Sequence, residues 1–335
     1  MIKEQGMSFS GNVKEELAGQ LTGARHCQIS ELAAIISMCG SIIVDIRSRY
    51  KIKIHSENHA VARKCFTLIE KTFNIISDVS VRRNKENNSV FYTVAVKNHE
   101  DALRILQATK LVEEGHEGFE EIDIVSPMVV QQMCCKRAFL RGAFLAAGSM
   151  SDPNKSYHFE IVCSSPKMAQ QITELIKGFS IEAKTVIRKR SYVVYLKEGA
   201  QIVDMLGIME AHIGLMELEN VRILKDMRNT VNRKVNCETA NINKTVSAAV
   251  KQLEDIEFIK EERGLDALPE GLEEMAIVRL SHPSATLKEL GELLNPPVGK
   301  SGVNHRLRKI GEIADKLRKD REESSDDRNT SSSKK

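Results

Sequence analysis

The chain has 335 residues, 41% hydrophobic, 28% charged and 4% aromatic, with no tryptophan and a net charge of +3. That length accommodates two or three domains with sizeable cores. The small net charge excludes a global polycation, so any nucleic-acid surface has to be local.

No apolar run reaches the ~18 residues that span a bilayer, and the opening "MIKEQGMSFS" lacks the apolar stretch of a signal peptide. These features predict a cytoplasmic protein with no membrane contact. The seven cysteines form no CxxC pair. Adjacent Cys134 and Cys135 are poorly spaced for a tetrahedral zinc site, so the thiols read as reduced, mostly buried small hydrophobes, with no metal and no cofactor.

In chain order, "LAAIISMCG" (Leu32 to Gly40) reads as a small-residue helix closed by glycine. "YKIKIHS" follows as an alternating strand. "HAVARKCFTLIEKTFNI" places Val61, Cys65, Leu68, Ile69 and Phe73 at helical spacing. "SDVSVRRN" and "SVFYTVAVK" read as a hairpin around "KENN", and "HEDALRILQATKL" as a helix. The order then recurs. "LRGAFLAAG" (Leu140 to Gly148) repeats the first motif, and "YHFEIVCS" the strand. "PKMAQQITELIKGFSI" is a helix with Pro166 suited to its first turn. "EAKTVIRKR" and "SYVVYLK" form a tight hairpin, and "GAQIVDMLGIM" closes the half. Each half therefore reads as motif helix, strand, helix, two strands, helix. The motif glycines, Gly40 and Gly148, stand 108 residues apart. The prediction is a duplicated α+β domain over residues 1–211, with repeats at about 25–110 and 133–211. Small residues such as Ala33, Ala34, Gly142 and Ala146 let the two motif helices approach closely, and the final glycine is expected to supply the backbone conformation that turns helix into strand.

This duplicated pattern resembles the two-copy LAGLIDADG homing endonucleases. The resemblance implies motif helices packed as an axis, sheets forming a saddle over DNA, and an acid before each final glycine that binds divalent metal. Here those two positions are Cys39 and Ala147, and the motif's other acid is replaced by Ser37 and Leu145. None of these is a hard oxygen ligand, so metal-assisted hydrolysis loses its donors and no catalytic residue is expected. Asp45 and Asp152, slightly downstream, read as turn residues. The sheets can still meet DNA, through phosphate contacts from Arg82 and Arg83 of "VRRNK" (81–85) and Arg188, Lys189 and Arg190 of "VIRKR" (186–190).

A linker helix is expected over 212–244. Its "MRNTVNRKVNCETAN" sets asparagines among basic residues, with six basic against two acidic side chains over 221–244. Arg228, Asn232 and Arg233 are candidate DNA contacts.

From Thr245 the pattern is helical. "SAAVKQLEDIEFIKEERG" and "PEGLEEMAIVRLSHP" are followed by "TLKELGELL", with Thr286 and Glu289 spaced as a capping box. After the turn "NPPVGKS", "GVNHRLRKIGEIADKLRKD" carries Val303, Leu307, Ile310, Ile313 and Leu317 on a core face. The other face carries Asn304, His305, Arg306, Arg308 and Lys309, with Lys300 and Ser301 at its start. A short helix, a tight turn and a basic second helix predict a helix-turn-helix over 245–320 that reads double-stranded DNA through those residues. The polar tail 321–335 is expected to be disordered.

A degenerate two-copy LAGLIDADG domain joined to a C-terminal helix-turn-helix is similar to the bacterial WhiA family, most specifically at "CCKRAFLRGAFLAAGS", "MRNTVNRKVNCETAN" and "KSGVNHRLRKI". The resemblance implies a nucleoid-associated DNA-binding regulator linked to transcription, sporulation, cell division and chromosome segregation. It also aligns the family's usual start with Met7. The residues alone leave open two other readings, a surviving homing-type endonuclease and a scaffold whose N-terminal domain holds a protein partner.

Overall fold

The computed structural model describes residues 7–84, 89–112 and 125–332, with side chains to Arg321. The hairpin loop "KENN" and the residues before Met7 lie outside the described residues. The chain divides into two compact units, 1–227 and 228–335.

In the first unit, α1 (Phe9–Gly19) precedes the repeat and is capped by Ser8, whose Oγ accepts from Gly11 N at 3.1 Å. The first half then runs α2 (Arg25–Cys39), β1 (Gly40–Val44), β2 (Tyr50–Ser56), α3 (His59–Phe73), β3 (Asp78–Arg83), β4 (Val90–Val96) and α4 (His99–Ala108). The second runs α5 (Met133–Ala147), β5 (Gly148–Met150), β6 (Phe159–Cys163), α6 (Pro166–Lys177), β7 (Lys184–Arg188), β8 (Ser191–Leu196) and α7 (Gly199–Met209). Helix starts follow their capping chemistry. Asn58, Asn98 and Ser165 accept backbone N–H groups at the heads of α3, α4 and α6, with Pro166 in the first turn of α6.

Each half has one strand more than the alternation indicated. β1 and β5 begin at the motif glycines and pair antiparallel with β2 and β6, giving four-stranded sheets ordered β1-β2-β4-β3 and β5-β6-β8-β7. "GSIIV" and "GSM" are too short to show a period. One face of each sheet is buried: Ile52, Ile54, Val94 and Val96 in the first, Phe159, Ile161, Val194 and Leu196 in the second.

α2 and α5 form the axis of this unit. A Cβ on Gly142 would lie 3.0 Å from the Ala34 Cβ and press on the Glu31 carbonyl, so the helices touch backbone to side chain there. Ser30 Oγ donates to the Cys135 carbonyl at 2.8 Å. The expected conformational role of the final glycines is corrected. Gly40 and Gly148 are ordinary extended residues, at φ −89° and −88°. What excludes a side chain is room: a Cβ would stand 2.9 Å from the Ile36 Cα and 2.7 Å from the Phe144 Cα, because the chain leaves the helix across its own last turn.

The same axis carries a buried ionic group. Arg141 sends Nε and Nη2 to the two carboxylate oxygens of Glu31 at 3.2 and 3.3 Å. Lys64 Nζ is 3.2 Å from Glu31, and Arg141 Nη1 reaches Glu210 at 2.7 Å. Burial opposes the charge on both cations and lowers Lys64, whereas the carboxylates of Glu31 and Glu210 outweigh it at Arg141 and raise it.

α8 (His212–Arg263) begins in the first unit, where Glu16 of α1 accepts from Ile213 N and Gly214 N at 2.8 and 3.0 Å. The expected linker and the first helix of the C-terminal domain are one helix. No proline or glycine lies between Gly214 and Gly264, and Asn and Thr weaken a helix without breaking it.

In the second unit, Ile256 and Ile259 of α8 pack with α9 (Leu272–Ser281), α10 (Leu287–Glu292) and α11 (Lys300–Ser332). Val303, Leu307, Ile310 and Ala314 are α11's buried contribution. Asp255, 3% exposed, accepts from Arg318 at 2.7 Å, and that guanidinium lies 4.9 Å from the Phe258 ring. α11 does not stop at Asp320 but continues through the expected disordered tail to Ser332. Arg321, Glu322 and Glu323 are good helix formers, and Arg321 Nη1 pairs with Glu262 of α8 at 2.6 Å. No helix of the described residues is long and apolar enough to cross a membrane.

Candidate nucleic-acid interface

The C-terminal ends of α2 and α5 lack what metal-assisted hydrolysis requires. Cys39 donates its thiol to the Ile35 carbonyl at 3.3 Å, and burial pushes its pKa up to about 12. Ala147 has no donor. The amine of half-buried Lys14 lies 5.7 Å from the Phe144 ring centre, and burial lowers it to about 8 while the nearby Cys39 thiol pulls the other way. A neutral thiol, a methyl group and an ammonium do not fit Mg²⁺. Asp45 accepts backbone N–H groups of Arg47 and Arg49, both at 3.0 Å, and Arg49 Nε at 2.8 Å. The Arg49 bonds hold its pKa down at about 2. Asp152 likewise accepts from Asn154 N and Nδ2, so both acids serve turns.

The open sheet faces differ in how their charges are paired. Residues opposite one another across a ladder share a face, so Lys51, Lys53, His55, Thr93 and Arg82 stand together on the first sheet. Its acid, Asp78, is 3.2 Å from Lys97. Arg83 alternates onto the other face with Val79 and Val81. On the second sheet, Glu160 accepts from both Nη atoms of Arg188 at 3.2 Å, from Ser149 at 3.1 Å, and pairs with His158. Lys184, Val162, Val186 and Val193 share that face, Lys184 and Val186 exposed and Val193 buried. The two hairpins are thus unequal. Arg82 stands in a basic row, Arg188 is committed to Glu160, and Lys189 and Arg190 are exposed at the β7–β8 turn.

On α8, every residue from 226 to 248 is exposed, Arg228, Asn232 and Arg233 included. Exposed Val231, Val235, Ile242 and Val246 form an apolar stripe at helical spacing, while Asn229, Asn232, Arg233 and Asn236 occupy other faces.

The helix-turn-helix has the expected parts. Thr286 and Glu289 exchange both capping-box bonds at the head of α10. Gly291 abuts the Val298 carbonyl, so the turn into α11 closes against a position where a side chain would not fit. Lys300, Ser301, Asn304, His305, Arg308 and Lys309 are exposed, at a spacing that puts them on one face of α11. Arg306 departs from expectation. It is half-buried beneath Gly271, whose carbonyl accepts from Nη1 at 3.3 Å, so it braces α11 against the entry to α9. Arg308 pairs loosely with Glu312 at 3.4 Å, both side chains exposed.

The structure also gathers His26, Cys27, Cys134 and Cys135, a group the sequence reading missed because its halves are 108 residues apart.

Three family models cover the chain in succession: "WhiA N-terminal LAGLIDADG-like domain" over 25–112, "WhiA LAGLIDADG-like domain" over 136–228, and "WhiA C-terminal HTH domain" over 231–314. A "Probable cell division protein WhiA" from Lachnoclostridium phytofermentans is 56% identical over 313 residues, 93% of this chain and 100% of that protein. Its counterpart from Alkaliphilus oremlandii is 52% identical, covering 93% and 98%. The crystal structure of full-length DUF199/WhiA from Thermatoga maritima is similar at 29% identity with a TM-score of 0.55, covering 92% of this chain and 98% of that one.

Proposed function

From the premise that the chain belongs to the WhiA family, with a LAGLIDADG-like α+β region and a C-terminal helix-turn-helix, we propose that it is a non-catalytic DNA-binding regulator of transcription. The observation that carries this reading is the solvent face of α11, where Lys300, Ser301, Asn304, His305, Arg308 and Lys309 stand exposed with no acid before Glu312. Asn and Arg near the start of such a helix match adenine and guanine edges in the major groove, and Lys and Ser match phosphate. Arg228, Asn232 and Arg233 of α8 and the row Lys51, Lys53 and Arg82 supply further phosphate contacts on their own surfaces.

The relatives' name points to cell division. Control of division genes, with sporulation and chromosome segregation, and a place on the cytoplasmic nucleoid are the finer parts of this proposal. Genome-wide mapping of bound DNA tests it. Full-length chain should mark discrete sites that the Asn304→Ala/Arg308→Ala variant loses at equal protein level. An unchanged map would end the α11 assignment.

A second reading applies to one surface. On the open face of the second sheet Glu160 is bound to Arg188 and His158, and half-buried Val162 and exposed Val186 stand beside it with Lys184 at the edge, a mixed patch that suits a protein partner. A crosslinking residue placed at Val162 should then capture protein, with DNA unaffected; capture of DNA would reverse the assignment.

A further inference from the structure

The first turns of α2 and α5 bring His26, Cys27, Cys134 and Cys135 together, with their ligand atoms all within 4.8 Å of one another. We propose that this Cys₃His group is a structural zinc site that ties the two repeats together. The group follows the internal twofold. His26 and Cys134 are 108 residues apart, as are Cys27 and Cys135, the same offset as Gly40 and Gly148. Burial follows the same symmetry: Cys27 and Cys135 are buried, and His26 and Cys134 are exposed. Each helix therefore supplies one inner and one outer ligand, which meet across the axis.

The geometry suits one metal ion. His26 Nδ1 lies 3.2 Å from Cys135 Sγ and 3.3 Å from Cys27 Sγ. Ligands about 2.0–2.3 Å from a tetrahedral zinc stand about 3.5–3.8 Å from each other. The four atoms, all within 4.8 Å of one another, reach those separations by side-chain shifts of about 1 Å or less. Three thiolates and an imidazole are soft and borderline donors, the set that selects Zn²⁺ over the oxygen-seeking Mg²⁺ and Ca²⁺. Both dipeptides occupy helix first turns, at the same position in α2 and in α5. Cys27 and Cys135 pack with Ala138 in a small cluster of their own, apart from the main core. Four protein ligands leave no open coordination position, so the role is structural.

The test uses full-length chain purified without chelator. One zinc per chain is expected, and Co²⁺ exchanged into the site should show the strong visible absorption of tetrahedral thiolate ligation. Cys134→Ser and His26→Ala change exposed positions, which limits damage to folding. Each should weaken zinc, in competition with a chromophoric chelator, by more than the roughly 100-fold that loss of an outer-shell partner costs. Cys134→His should keep tetrahedral cobalt with weaker sulfur-to-metal bands, and Cys237→Ser, at an exposed thiol outside the group, should match wild type. Zinc lost on desalting, a weak six-coordinate cobalt spectrum, a disulfide among these cysteines in its place, or undiminished affinity in Cys134→Ser would each overturn the proposal.

Discussion

Glu31 is fully buried between two cations, Lys64 and Arg141, that are each 1% exposed. Removing one partner of such a group leaves buried charge uncompensated, so Glu31→Ala should destabilise the chain by about 3–5 kcal/mol in denaturant titration. A loss below about 1 kcal/mol would mean that water already screens the group. Lys14 acts in the opposite sense. Its amine is lowered from 10.5 to about 8 by burial. Below pH 8 it is charged in both folded and unfolded states, and the full penalty of burying that charge is present. Between pH 8 and 10.5 the folded state releases the proton first, so stability recovers as pH rises. Lys14→Met should therefore melt higher than wild type at pH 7, with the gap narrowing from pH 8 to 10; a constant gap would exclude titration of Lys14 as its source. None of this was legible in the sequence. Glu31 and Arg141 look like ordinary helix-surface residues until α2 and α5 are laid together, and burial arises only from that packing.

At the scale of elements, the repeat was legible because its strands alternate and its helices carry apolar residues every three or four positions. β1 and β5 were not, since five-residue and three-residue strands show no period. The role of the motif glycines was misread for a related reason. A glycine after a helix suggests unusual dihedrals, yet Gly40 and Gly148 are extended and simply lack space for a Cβ. Gly142→Ala should accordingly cost about 1–3 kcal/mol by overpacking the α2–α5 contact. Gly23→Ala, with nothing within 4 Å, should stay within about 0.5 kcal/mol. The cysteine spacing was judged along the chain alone, whereas the twofold assembles His26–Cys27 with Cys134–Cys135. The motif ends predict chemistry as well: supercoiled plasmid incubated with the chain and Mg²⁺ or Mn²⁺ should remain uncut, and nicking abolished by Asp45→Ala would restore a nuclease reading.

For the whole molecule, the order of a duplicated α+β region and a helix-turn-helix was readable from periodicity, capping and charge. The continuity of α8 was not, because a run of asparagines resembles a linker. Within the candidate site, one residue of α11 is placed otherwise than its spacing indicated: Arg306 holds Gly271, while Arg308 and Lys309 face solvent. Helical spacing places 306 near the boundary between core and surface, where only the packed neighbour decides. DNA binding through that face is open to a salt series of binding affinities on full-length chain. Each phosphate contact adds about 0.9 to the slope of log affinity against log salt. Arg308→Ala/Lys309→Ala should weaken binding and flatten the slope by up to about 2, with unchanged melting temperature. Arg306→Ala should lower the melting temperature while leaving the slope intact. Wild-type affinity and slope in the double variant across the series would rule out DNA binding through α11.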